Sequence, residues 1–274
     1  MSQYKITPLF ISSTRGSLFA MYYTPIISNG SQCIIHIPAF AEEMNKSRHM
    51  VAMQAQAWAE QGYAVLVLDL WGTGDSQGDF SEATWDIWLN DIDTAVKWLQ
   101  EKEYISINLW GLRSGVLLAL DYLQKHGLNI DKFICWQPVL NGELFIMQFL
   151  RLRIAAAMMN KNKTQEKTSE LKQQLLNGQS VEVAGYFLNP ELVIPMISVQ
   201  AKSININSVK QINIFELVQG NEVVESHVTN QWIKKLTGNK NKVSLDVIID
   251  NSYFWLTQEI TESIDLIKLS SERV

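Results

Sequence analysis

The segment Leu109-Trp110-Gly111-Leu112-Arg113-Ser114-Gly115 carries the strongest chemical signal in the chain. A strand-like run passes through small residues directly into a helix-like run, with glycines two before and two after a central residue. That pattern closes the tight turn which lifts one side chain to the carboxyl edge of a sheet, where Ser, Cys or Asp would act as a nucleophile. Here the central residue is Arg113. A guanidinium stays protonated and offers only N–H donors, so at pH 7 it neither attacks a carbonyl nor accepts a proton. Ser114, one position later, is a candidate relocated nucleophile, and its backbone N–H a candidate half of an oxyanion hole. Arginine at a helix N-terminus points instead to recognition of an anion, because the N–H groups and dipole there already favour negative charge.

Three further stretches bear on the same chemistry. His36 to Arg48 follows a strand, and Phe40 supplies the expected second oxyanion N–H, with Ala41 beside it. Glu42 and Glu43 follow, and two readings stand for them. They are either acids suited to the dipole of a helix beginning at about residue 46, or a partner for Arg113 across the pocket. Asp69-Leu70-Trp71-Gly72-Thr73-Gly74-Asp75-Ser76 has the glycines of a phosphate loop without its Lys and Ser/Thr, and reads as a structural turn. After the strand at roughly 212–218, Glu222 is the candidate acid. After the last strand, Asp250 to Trp255 contains Tyr253 as a candidate binding residue and no histidine, so the usual general base is missing. Trp110, within the elbow strand, completes the candidate binding set. His227 reads as a solvated residue at a helix start, His36 as a strand residue of the core, and His126 as a cation in a helix's last turn.

The elements that must position these residues alternate in a regular way. Residues of roughly 4–11 and 16–24 form a hairpin around Arg15-Gly16. From Cys33 on, short apolar strands alternate with amphipathic helices, the order that gives a mostly parallel sheet with helices on both faces. Helices are expected over about 46–61, from Trp85 through Leu99 at three- and four-residue steps, and from about 113 to the stop at Gly127. The alternation breaks at 139–205, which reads as an inserted helical cap with a Met- and Leu-rich helix, the polar stretch Asn160 to Lys167, a short helix and a Pro-interrupted segment. Phe145, Met147, Phe149, Met158 and Met159 are expected to form the core of that cap rather than a lipid-binding face. The core unit then comprises 1–138 and 206–274, ending in strands at 212–218 and 243–249, a helix around 227–237 between them, and a helix from about 256.

Composition narrows the function classes. A net charge of −5 with no basic stripe argues against nucleic acid as partner. Apolar runs such as Ala64 to Leu70 are strand length, so no membrane span is expected. Met1 to Lys5 lead into the first strand pattern with neither a basic leader nor an apolar signal core, and the expected location is the cytoplasm. Cys33 and Cys135 read as buried reduced thiols, and four histidines without ligand spacing give no metal site and no cofactor.

The whole pattern resembles the α/β-hydrolase superfamily. More narrowly, Pro38 to Arg48, Asp69 to Phe80 with Trp85-Asp86-Ile87-Trp88, Gly111-Leu112-Arg113, and Val181-Glu182-Val183-Ala184-Gly185-Tyr186 resemble the hydrolase 2 family associated with the exosortase A system. That resemblance implies a setting in cell-surface polysaccharide or protein sorting and a partner protein there, and names no substrate. Three functions follow: a pseudo-hydrolase in which Arg113 holds a small anionic or acyl ligand; an active hydrolase of esters or acyl groups that uses a relocated nucleophile or a carboxylate-activated water; or a scaffold in which Arg113 pairs with Glu42 or Glu43 and plugs the pocket.

Overall fold

The computed structural model describes residues 3–28, 31–159, 166–239, 241–250 and 252–274. Strands β1 (Tyr4–Ser12) and β2 (Ser17–Pro25) pair antiparallel about Arg15-Gly16, and β2 continues antiparallel onto β4 (Ala64–Leu68). The remaining strands of the main sheet are β3 (Gln32–Ile37), β4 (Ala64–Leu68), β5 (Ser106–Leu112), β6 (Ile130–Trp136), β9 (Val209–Val218) and β10 (Lys242–Ile249), all mutually parallel. Their order is β1-β2-β4-β3-β5-β6-β9-β10. The central strands are apolar on both faces because helices cover both. Helices α1 (Glu42–Glu60) and α8 (Ile264–Glu272) pack on one face. On the other lie α2 (Trp85–Glu101), α3 (Ser114–His126) and α7 (His227–Gly238).

The segment between β6 and β9 holds α4 (Gly142–Met159), α5 (Thr168–Leu176), α6 (Pro190–Ser198) and the small hairpin of β7 (Val181–Val183) and β8 (Tyr186–Leu188). Phe145 and Phe149 of α4 point into the core, whereas Met158 is exposed. The side chain of Met159 and residues 160–165 of the polar stretch lie outside the described residues. Leu171, Leu175, Val181, Val183, Leu188, Leu192 and Met196 extend the main core into this segment.

Two element boundaries differ from those expected. Helix α1 begins at Glu42, four residues early, so the two acids occupy its first turn. Helix α8 begins at Ile264 rather than near 256; after β10 the chain turns at Tyr253 to Leu256, with Phe254 and Trp255 buried. Cys33 and Cys135 are free and buried.

Candidate functional site

Strand β5 turns into α3 at Arg113, whose backbone takes φ 55°, ψ −118°. L-residues with a side chain avoid that region, at a cost of about 1–3 kcal/mol, and tolerate it only where the surroundings fix them. Here the fixing comes from close approach. A Cβ on Gly115 would lie 2.2 Å from the Ile37 carbonyl oxygen, and one on Gly111 would lie 2.7 Å from Val116 Cα. Only glycine at both positions lets α3 start directly against β5 and the end of β3. The Arg113 carbonyl oxygen accepts from the N–H groups of Val116 and Val139, and the Arg113 N–H donates to the Trp136 carbonyl. The elbow is therefore built, and Arg113 stands at its apex.

Two neighbouring corners share the strain. Ala41, at the β3 to α1 turn, adopts φ 51°, ψ −128°, almost the Arg113 geometry, and Gln137 after β6 has φ 41°. All three follow adjacent parallel strands at the carboxyl edge, where open α/β sheets bind ligands. Gln137 is braced by its own side chain, since Oε1 accepts the Leu217 N–H at 2.6 Å.

The guanidinium is clasped. Arg113 Nε donates to Glu43 Oε2 at 3.3 Å and Nη2 donates to Oε1 at 3.2 Å, a two-point contact between side chains only 17% and 13% exposed. Nη1 reaches the Gln137 carbonyl oxygen at 3.4 Å, and the cation lies 5.3 Å from the Trp255 ring centroid. Burial pushes the Glu43 carboxyl above its ordinary range, and the Arg113 charge pulls it back. Of the two readings for the paired acids, Glu43 realises the contact with Arg113. Glu42 faces elsewhere: its Oε2 accepts from Tyr186 OH at 3.0 Å and from Asn45 Nδ2 at 3.3 Å, which ties α1 to the β7–β8 hairpin.

Beside the pair opens a cleft of about 380 Å³ bounded by Arg113, Gln137, the start of α4, the end of β9, the start of α7 and Tyr253. Tyr253 lines it, stacked on Trp255 at 4.8 Å. The other candidates fall elsewhere. The Trp110 ring is wholly buried between Trp58, Trp136 and His36, because the alternation of β5 turns it into the α1 face; it is a core residue and lines no part of the cleft. Phe40 is buried too, its ring edge-on to Phe80, Trp88, Phe145 and Phe149, so only its backbone could serve chemistry. Ala41 is buried at its strained corner and lines no part of the cleft. Ser114 is buried as the first residue of α3 and does not line the cleft. Glu222 is exposed in the loop after β9 and is absent from the lining. His227 is exposed, its Nε2 2.8 Å from Gln231 Nε2.

The carboxylate that does enter the cleft is Glu216, inside β9. It is buried, hydrogen-bonded by Thr229 Oγ1 and, at 3.4 Å, by the Ser226 N–H. A lone acid in the apolar run Ile212 to Val218 was the available signal; the loop position drew attention to Glu222 instead. Glu225 also lines the cleft, so two acids share its wall with Arg113. No histidine lines the cleft among the described residues. The Asp69 loop is a structural turn, as expected: Asp69 Oδ2 accepts from Arg48 Nη2 and the Asp75 N–H, each at 3.0 Å. Among the described residues no cluster of His, Cys, Asp or Glu could hold a metal ion, and no helix is long and apolar enough to cross a membrane.

This sheet order, the elbow at its carboxyl edge and the helices on both faces define an α/β-hydrolase fold. The Hydrolase_4 family, described as serine aminopeptidase S33, matches residues 32–236, three quarters of the chain, and the protein belongs to that family. Among solved structures it is similar to the esterase Est1E from Butyrivibrio proteoclasticus with ferulic acid bound, at 18% identity and a TM-score of 0.65 over 97% of this chain and 95% of that one. It is also similar to the Pyrococcus furiosus esterase Pf2001, at 15% identity and TM-score 0.60 over 98% and 88% of the two chains. XC6422 from Xanthomonas campestris, an α/β serine hydrolase without a lid, gives 15% identity and TM-score 0.58 over 98% and 94%. At these identities the likeness concerns the fold. No curated protein sequence matches the chain.

Proposed function

We propose that this protein is a hydrolase-fold member that binds a small acid or acyl-bearing molecule in the Arg113 cleft and does not hydrolyse it. The observation that carries the reading is the elbow itself: its strained geometry is intact, and its apex holds a cation clasped by Glu43 instead of a nucleophile. Ser114 stands outside the cleft, which weighs against a relocated nucleophile. The Nη1 edge of Arg113 makes one long contact with Gln137 and leaves donor capacity toward the cleft, where a ligand carboxylate or carbonyl would accept. Glu216 and Glu225 oppose a multiply charged anion, so a monocarboxylate with an uncharged body fits better than a sugar phosphate. The ferulic acid held by the similar Est1E makes aromatic acids the first ligands to test. The resemblance to the exosortase-associated family adds a partner protein of a surface polysaccharide or sorting system to the same proposal, which places the protein in the cytoplasm.

The second reading is an active hydrolase that uses Glu43 as base toward a water, favoured by the upward push that burial gives its carboxyl. One experiment separates the two. Purified protein is assayed for turnover of short acyl and feruloyl esters, and for calorimetric binding of the free acids, alongside Arg113→Lys. Binding of an acid without ester turnover, weakened at least tenfold in Arg113→Lys, is the expected result. Ester turnover that disappears in Glu43→Gln overturns it in favour of the hydrolase.

A further inference from the structure

The main sheet ends in two outer strands whose free edges are built differently. In β1 the Ser13 N–H donates to the Gly16 carbonyl and the Gln3 carbonyl accepts the Ile26 N–H, so odd-numbered residues bond β2 and even-numbered ones turn their backbone outward. Pro8 is one of the latter, and its missing N–H interrupts that edge in mid-strand. At the opposite border β10 pairs parallel with β9, and the Asp250 N–H donates to the Val218 carbonyl at 2.9 Å. By the same alternation Val243, Leu245, Val247 and Ile249 turn their N–H and C=O groups away from β9. No proline breaks this row, and no backbone group bonds it among the described residues. The chain that follows leaves the edge: Leu256, Glu262 and Ser263 are bonded to Lys46, His49 and Met50 of α1.

An uninterrupted edge is a template for another strand. The side chains specify which one. Val243, Leu245 and Val247 are half-buried and Ile249 is exposed, an aliphatic row on the α7 face. Lys242, Ser244, Asp246 and Ile248 take the α8 face, where Arg273 clasps Asp246 at 2.9 and 2.8 Å. Turned antiparallel about a two-fold axis at Asp246, a second β10 meets the first with Val243 opposite Ile249 and Leu245 opposite Val247. These are the residues with free backbone groups, so each pair exchanges both of its hydrogen bonds. The exposed Lys242 then lies opposite Asp250, whose Oδ1 serves Ser252, and opposite charges meet at both ends of the seam. Each Asp246 on the axis brings its own Arg273, which offsets the repulsion between the two carboxylates. A slip of one residue would set outward backbone against inward, and a slip of two would lose the charge pairs.

We propose that β10 is a self-association edge, on which a second copy of this chain docks antiparallel and joins the two main sheets into one. A closed two-fold pairing of this kind stops at the dimer, because the Pro8 edge offers no equivalent template. It is independent of the role assigned to Arg113.

The test is sedimentation of the full-length protein over a concentration series. The expected result is a species of twice the 31.2 kDa of one chain. Val247→Pro deletes an outward N–H and keeps the bonds to β9, and is expected to weaken the dimer roughly tenfold or more, since each dimer loses two hydrogen bonds. On mild oxidation Asp246→Cys is expected to link two chains, because those positions face each other on the axis, whereas Ser244→Cys is not. Cys33 and Cys135 are buried and do not compete. The cysteine variants carry the test should Val247→Pro fail to fold. A protein that stays monomeric throughout the series overturns the proposal, as does a dimer that Val247→Pro leaves unchanged. Linking of Ser244→Cys as readily as Asp246→Cys overturns it too.

Discussion

The hollow under α1, over β2, β4 and β3, and the cleft at the ends of β5, β6 and β9 treat their polar groups in opposite ways. In the Arg113 cleft every buried charge has a partner: Glu43 clasps Arg113, and Thr229 with the Ser226 N–H holds Glu216. On the α1 face the buried imidazole of His36 has none among the described residues. The difference follows from what each group can do without help. A buried charge costs several kcal/mol and must be paired, whereas an imidazole can shed its proton and remain, unpaired and neutral, at the cost of a missing hydrogen bond. The charges that border the open cleft are therefore satisfied by the chain itself, whereas the sealed ring of His36 goes without a partner.

The comparison breaks most readily at Arg113. If the pair is structural, Glu43→Ala strands a largely buried cation and should destabilise the protein by about 3–5 kcal/mol in urea unfolding, while the double variant Glu43→Leu with Arg113→Met recovers most of the loss. A loss under about 1 kcal/mol would mean that Arg113 is held for a ligand and that Glu43 is a bystander.

A smaller effect is expected at His36 and appears as a pH dependence. The folded ring stays neutral down to about pH 3, while the unfolded ring protonates near its ordinary pKa of about 6.5. Between those limits only the unfolded chain gains a proton, so His36 withdraws stability as the pH falls, about 2 kcal/mol from pH 7 to 5. Asp91 acts with the opposite sign, since burial raises its carboxyl to about 7 and the folded state holds that proton first. The whole protein is then expected to show a shallow profile over this range, and His36→Phe to gain stability relative to it by roughly 2 kcal/mol on acidification. Parallel profiles for the two proteins would show that the ring finds a partner after all.

The smallest effect concerns the tie that holds the β7–β8 hairpin against α1. Tyr186→Phe removes an exposed hydrogen bond to Glu42 and should cost about 0.5–1 kcal/mol in the same unfolding assay, with the Arg113–Glu43 pair unaffected. A change in ligand binding at the cleft on this substitution would couple the hairpin to the site.

Much of this architecture is legible in the sequence. Alternating apolar strands and amphipathic helices, with Gly127 at a helix end, place the parallel sheet and its order of elements, because those patterns are local. The elbow was legible for the same reason: Gly111 and Gly115 are demanded by contacts a few residues away and by one neighbouring strand. The acid of the cleft was not. Glu216 lies in mid-strand, and only the arrival of α7 with Thr229 makes that position tolerable. Trp110 lies in the core because closeness in sequence to Arg113 says nothing about which face of β5 a side chain takes; one residue of register turns it inward.

The amino-acid sequence by itself determined the fold class, the elbow and the replacement of its nucleophile by arginine, since each rests on residue type and short spacing. Tertiary structure decided that Glu43 and not Glu42 meets Arg113, that Glu216 and not Glu222 enters the cleft, and that His36 is left without a partner. These are questions of which distant groups share a space, and the answer depends on where α1, α7 and the sheet come to rest against one another.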